Sequence, residues 1–114
     1  MTERPKVTMV CTGNAARSVM AALLLRDRLG DDGPVEVASA GTLVLPGHPM
    51  STRTRAALER HGLADPHHRS RQLELADVHR SSLLLVMESS HIHWMRRRLP
   101  EALPIACSLK RTVQ

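Results

Sequence analysis

Cys11 and Arg17 bracket a short loop, Thr12-Gly13-Asn14-Ala15-Ala16, and Ser18 follows Arg17 at once. The apolar run Val7-Thr8-Met9-Val10 precedes the loop and a helical stretch follows it. A short loop entering a helix can turn successive backbone N–H groups inward, forming an anion-binding nest at the positive end of the helix dipole. Arg17 can bring a planar fork of donors to two oxygens of a tetrahedral oxyanion. The same groups would stabilise a Cys11 thiolate, the reactive form of the side chain. Gly13 suits a loop that needs unusual dihedrals or close approach to a ligand. Asn14 tolerates left-handed backbone better than most residues. The Ser18 hydroxyl can donate to the sulfur and stabilise it as a leaving group. The plain alternative is a buried Cys at a strand end beside a surface Arg. The strand, loop and helix around the motif favour the phosphate cradle.

The surrounding elements must place this loop. Residues 6–11 read as a buried strand with β-branched Val7, Thr8 and Val10. Residues 17–30 read as a helix that buries Val19, Met20, Leu23 and Leu24 and ends at Gly30. After the turn Asp31-Asp32-Gly33-Pro34, Val35 to Ala38 form a second strand, ended by Ser39-Ala40-Gly41-Thr42. Leu43 to Met50 read as a loop. Ser51 caps a helix over 52–61, closed by Gly62. Asp65-Pro66-His67-His68 is a turn, and Gln72 to Val78 a short amphipathic stretch. Ser82 to Met87 is the clearest buried strand. Ser89 or Ser90 caps a helix running to Leu99 and stopped by Pro100, and Pro104 to Leu109 form a last strand. Strands alternating with helices predict an α/β domain with a parallel sheet and helices on both faces. Ligands bind such sheets at the strand carboxyl ends, where Cys11 falls.

Composition narrows the field. A chain of 114 residues predicts one domain, residues 1–114. With no Phe or Tyr and one Trp, the core must be built from Leu, Val, Ala, Ile and Met. No apolar run is long enough to span a membrane, and the N-terminus lacks the apolar region of a signal peptide. Two cysteines make no disulfide framework, and a reactive Cys11 needs a reducing compartment, so a cytoplasmic location is expected. The net charge of +5 favours anionic partners. Nucleic acid is disfavoured, because the Arg residues are scattered and stacking aromatics are absent.

The segment Val10-Cys11-Thr12-Gly13-Asn14-Ala15-Ala16-Arg17-Ser18 resembles the signature loop of the low-molecular-weight protein tyrosine phosphatases. Ser39-Ala40-Gly41-Thr42, the stretch from Gly47 to Gly62, His68-Arg69-Ser70-Arg71-Gln72-Leu73, and Leu83 to Glu88 with His91 resemble further segments of that family. The resemblance implies a three-layer fold with a four-stranded parallel sheet of order 2-1-3-4. It implies Cys11 as nucleophile and Arg17 as phosphate clamp, with Thr12, Gly13, Asn14, Ala15 and Ala16 cradling the phosphate. It implies that Asn14, Ser18, Ser39 and His68 form a hydrogen-bond network holding the loop. It implies no metal and no cofactor. The expected substrates are protein phosphotyrosine or a small aryl phosphate, cleaved through a thiophosphate intermediate, with inorganic phosphate or a similar oxyanion as product or inhibitor.

Three departures qualify the resemblance. Val19 stands where the family has Pro, and Ala16 where many members have a second Cys. The family's general acid is an Asp in an Asp-Pro loop beyond the fourth strand, followed by a final helix. This sequence ends at Gln114, and its one Asp-Pro pair, Asp65-Pro66, lies elsewhere. The reading is therefore a phosphatase-like domain truncated before the acid loop, impaired on phosphotyrosine, with Glu88 and His91 as stand-in acids. Leu43, Val44 and Leu45 offer a substrate ring apolar contact but no aromatic stacking. Two rivals stay open: an arsenate reductase using an external thiol, and a non-catalytic binder of oxyanions or phosphoproteins. Cys107, the other cysteine, is expected in the core rather than as a redox partner of Cys11.

Overall fold

The computed structural model describes residues 4–109. The expected absence of an acid loop and final helix after the last strand concerns residues 110–114, which lie outside the described residues. Strand β1 (Lys6–Cys11) leads into α1 (Arg17–Leu29), then β2 (Glu36–Gly41), α2 (Thr52–Arg60), α3 (Leu75–Arg80), β3 (Leu83–Val86), α4 (Ser89–Arg98) and β4 (Ala106–Ser108). A 3₁₀ turn, Pro100–Ile105, joins α4 to β4. All strand pairs are parallel, in the order β2-β1-β3-β4. This is the sheet that the resemblance implied.

Alternation along the strands divides the core between the two sheet faces. Val10, Ala40, Leu84 and Val86 pack on one face with Met95 of α4 and Ala102 of the 3₁₀ turn. Met9, Val37 and Leu85 pack on the other with Ala22 of α1. A third cluster, Val19, Met50 and Leu58, joins α1 to α2. The fully paired β1 is thus covered on both faces, and its carboxyl end holds Cys11 at a fixed height.

Several boundaries differ from the sequence reading. β2 continues through Ser39, Ala40 and Gly41, because these small residues let β1 and the loop after it lie close. Leu24 is 43% exposed rather than buried. α1 packs Val19, Met20 and Leu23 toward α2 and Ala21, Ala22 and Leu25 toward the sheet, and Leu24 falls outside both stripes. Gln72 bridges to Gly41 in extended conformation, so α3 begins only at Leu75. Glu88, not Ser89 or Ser90, caps α4. The last strand is confined to Ala106–Ser108, since Pro104 has no N–H for a ladder and sits in the 3₁₀ turn. Ser51 caps α2 as expected: its Oγ accepts from the Thr54 N–H at 3.2 Å. Gly62, at φ 74°, completes a Schellman turn in which the Leu63 N–H donates to the Leu58 carbonyl at 2.9 Å.

Candidate active site

The loop after β1 has most of its carbonyl oxygens turned outward to donors. The Cys11 carbonyl accepts from the Thr42 N–H at 3.0 Å and that of Thr12 from the Leu43 N–H at 2.9 Å. The Ala15 carbonyl accepts from the Ser51 N–H at 2.9 Å, and that of Ala16 from the Met20 N–H at 2.9 Å. The Asn14 carbonyl accepts twice, from His68 Nε2 and from Ser70 Oγ, both at 2.8 Å. Meanwhile the N–H groups of Thr12 through Arg17 have no protein acceptor among the described residues. Outward carbonyls with free N–H groups at a helix N-terminus make a cradle for an anion.

Asn14 is the pivot of the loop. It is fully buried, and its φ of 52° is the only positive value at a non-glycine among the described residues. Its Oδ1 accepts from the Arg71 N–H at 3.0 Å, and its Nδ2 donates to Ser18 Oγ at 3.0 Å. Ser18 Oγ lies 2.9 Å from Cys11 Sγ. Ser18 accepts from Asn14 and keeps its own proton available, so its hydroxyl is placed to donate to the sulfur. Gly13 does not carry the left-handed turn; a Cβ placed on it would meet nothing within 4 Å. The glycine the site requires is Gly41, where a Cβ would lie 2.4 Å from the Thr12 carbonyl and 2.5 Å from Val44 Cγ2.

A second group of residues holds the other side. Arg17 Nη1 lies 3.2 Å from Glu88 Oε2, both side chains half-exposed. The Glu88 N–H donates to His91 Nδ1 at 3.3 Å, and His91 Nε2 lies 3.0 Å from Thr12 Oγ1. Nδ1 is therefore the acceptor nitrogen, so Nε2 carries the proton and donates to Thr12. His91 is buried, and burial, followed by the Arg17 cation, lowers its pKa from the ordinary 6.5, against the opposing pull of Glu88. The Glu88 carboxyl is held below its ordinary range by the Ser90 hydroxyl and then by Arg17. Glu88 is thus charged and His91 neutral near pH 7, each with its polar atoms engaged. Neither is free to act as the stand-in acid that the sequence suggested.

Of the residues expected at the site, Cys11, Asn14, Ser18 and His68 are in direct hydrogen-bond connection. Ser39 joins only through its carbonyl, which accepts from Arg71 Nη1 at 3.0 Å. Sequence reading missed Ser70, Arg71 and Asp77, the last of which is ion-paired to Arg71. It also missed Gln72, whose amide spans from the Thr42 carbonyl to the Val44 N–H. Cys107 is paired with Leu85, which is paired with Met9. Two strand spacings, about 9.5 Å, already exceed the ~7 Å limit between Cα atoms of a disulfide. Cys107 therefore cannot bridge to Cys11, and it packs against the Met9–Leu85 cluster. Among the described residues no group of three or more His, Cys, Asp or Glu is placed to hold a metal ion. No helix there is long and apolar enough to cross a membrane.

Residues 6–103 match the family model described as low molecular weight phosphotyrosine protein phosphatase. The chain belongs to this family. Among its relatives is a protein-arginine-phosphatase of Geobacillus stearothermophilus, 35% identical over 108 residues, covering 95% of this chain and 71% of that one. Another is a probable low molecular weight protein-tyrosine-phosphatase, EpsP, of Ralstonia solanacearum, 36% identical over 94 residues, covering 82% and 63%. The chain thus spans less than two thirds of the Ralstonia phosphatase. Solved structures agree. An arginine phosphatase from Geobacillus stearothermophilus superposes with a TM-score of 0.88 at 34% identity, over 96% of this chain and 70% of that one. The tyrosine phosphatase Wzb from Escherichia coli, in complex with sulphate, gives 0.83 at 32% identity, over 93% and 72%. Within the low-molecular-weight phosphatase fold, the Cys11 loop is thus set between β1 and α1 with its N–H groups open.

Proposed function

We propose that the chain is a cysteine-dependent phosphatase acting through a covalent thiophosphate. The observation that carries this reading is Ser18 Oγ 2.9 Å from Cys11 Sγ, at the base of a loop whose N–H groups have no protein acceptor among the described residues. Cys11 Sγ attacks phosphorus, an S–P bond forms, and the P–O bond to the leaving group breaks. Arg17 and the loop N–H groups hold the other phosphoryl oxygens, where charge gathers in the transition state. Water then attacks phosphorus, releasing inorganic phosphate and returning the sulfur as thiolate. The similar tyrosine phosphatase Wzb is seen in complex with sulphate, an oxyanion of this shape.

The leaving group decides the rate. A positioned general acid contributes ~10²–10⁴-fold, and Glu88 and His91 are both committed elsewhere. With neither of these two residues serving as acid, aryl esters with acidic phenols should be cleaved faster than phosphotyrosine. Steady-state rates on nitrophenyl phosphate and on a phosphotyrosine peptide test this: equal kcat values would refute it. The arginine phosphatase relatives favour a second substrate, protein phosphoarginine, with the same S–P bond forming and a P–N bond to the guanidino group breaking in place of P–O. A phosphoarginine peptide in the same assay ranks the two.

A further inference from the structure

β2 is an edge strand, and its outer side is built to receive an anion. Glu36 donates its N–H to the Pro5 carbonyl, so the even-numbered residues of β2 pair with β1 while Val37 and Ser39 direct their backbone groups outward. Their carbonyls are already taken: Val37 by Arg26 Nη2 at 2.8 Å and Ser39 by Arg71 Nη1 at 3.0 Å. Capping the acceptors leaves the N–H donors of Val37 and Ser39 on the open edge. A groove of about 340 Å³ runs along these residues, lined by the cations Lys6, Arg26, Arg69, Arg71 and Arg80. Asp77 is its one carboxylate, and that charge is paired with Arg71. The side chains of Lys6 and Arg80 have no hydrogen-bond or ion-pair partner among the described residues. Uncompensated cations lining a groove concentrate positive potential there.

We propose that this groove is a second anion site, distinct from the Cys11 loop, and that it takes a multiply charged phosphate compound of the pyrophosphate class. Arg26 and Arg71 are anchored at Val37 and Ser39, two residues apart along the strand, a spread that suits a chain of phosphates better than one orthophosphate. Asn14 and His68 also line the groove, so an occupant would lie against residues that support the loop. The site stands whether or not the chain is a phosphatase, because none of its cations belongs to the catalytic loop.

The test is an amide-resolved NMR titration of the chain with pyrophosphate. The Val37 and Ser39 signals are expected to shift to saturation. In a Lys6→Glu/Arg80→Glu variant the same shifts should need at least ~10-fold more pyrophosphate, about 1.4 kcal/mol. A neutral Lys6→Gln/Arg80→Gln variant should show the same trend more weakly, which covers the case of a misfolded reversal. Hydrolysis of nitrophenyl phosphate should stay near the parent rate in both variants. ATP serves as a second probe: saturation below the pyrophosphate concentration assigns the groove to nucleotides, and otherwise to the bare phosphate chain. Shifts confined to residues 12–17, or equal titration of parent and variants, would overturn the proposal.

Discussion

The Ser18 hydroxyl lies 2.9 Å from the Cys11 sulfur and accepts from Asn14 Nδ2 at 3.0 Å, which leaves its proton available to the sulfur. The loop thus supplies the sulfur with a donor of its own, fixed by a buried amide. Ser18→Ala removes it. A hydrogen bond to a charged group contributes about 1.5–3 kcal/mol, so kcat on nitrophenyl phosphate should fall roughly 10- to 100-fold. KM should change little. An unchanged kcat would show that the hydroxyl has no part in catalysis.

Asn14 does two jobs that separate by substitution. Its left-handed φ of 52° suits Asn or Gly, and its amide satisfies Arg71 and Ser18. Asn14→Gly keeps the backbone freedom and loses the amide, at a cost of about 1–3 kcal/mol. Asn14→Ala should cost about 1–2 kcal/mol more, from the strained backbone. Urea midpoints of the two variants measure the difference, and equal midpoints would contradict it.

Gly41 marks where β2 and the Cys11 loop touch. A methyl group there collides with the Thr12 carbonyl at 2.4 Å and with Val44 Cγ2 at 2.5 Å. Backbone cannot yield as a flexible side chain can. Gly41→Ala should destabilise the fold by about 1–3 kcal/mol and slow turnover by displacing Thr12. Paired urea and rate measurements check both effects.

His91 predicts a pH dependence of defined sign. Its folded pKa lies below 6.5, chiefly because it is buried, with the Arg17 cation adding to the shift. As pH falls through about 6.5 the unfolded chain takes up a proton that the folded chain resists. This contribution to stability is therefore complete above 6.5 and is lost as pH drops toward the folded pKa. Protonation of Nδ1 would also break the bond from the Glu88 N–H. Urea midpoints of the parent and of His91→Gln, compared at pH 7.5 and pH 5, should show a smaller loss in the variant. A parallel loss would remove His91 as the cause.

The parallel sheet was legible because β1 and β3 are short apolar runs, while its strand order came only through the family resemblance carried by the loop between β1 and α1. Cys11, Asn14 and Ser18 lie close in sequence, so their connection could be read directly. His68 was reached only through family resemblance. Ser70 and Arg71 act on Asn14 across more than fifty residues, through a backbone carbonyl and a backbone N–H, and neither bond leaves a pattern in residue type. Glu88 was obscured by the two serines after it, which are ordinary caps, whereas the cap here is set by His91 three residues on. Gly41 looked like a strand terminator because small residues end many strands; here its size serves contact with Thr12.

The central claim is that Cys11 carries the phosphoryl group. Rapid acid quench of the chain during turnover of nitrophenyl phosphate, followed by peptide mass spectrometry, tests it most directly. The expected result is one phosphoryl group on the Cys11 peptide early in turnover and no turnover by Cys11→Ala. Phosphate release that persists in Cys11→Ala, with no phosphorylated Cys11 peptide in the parent, would contradict it.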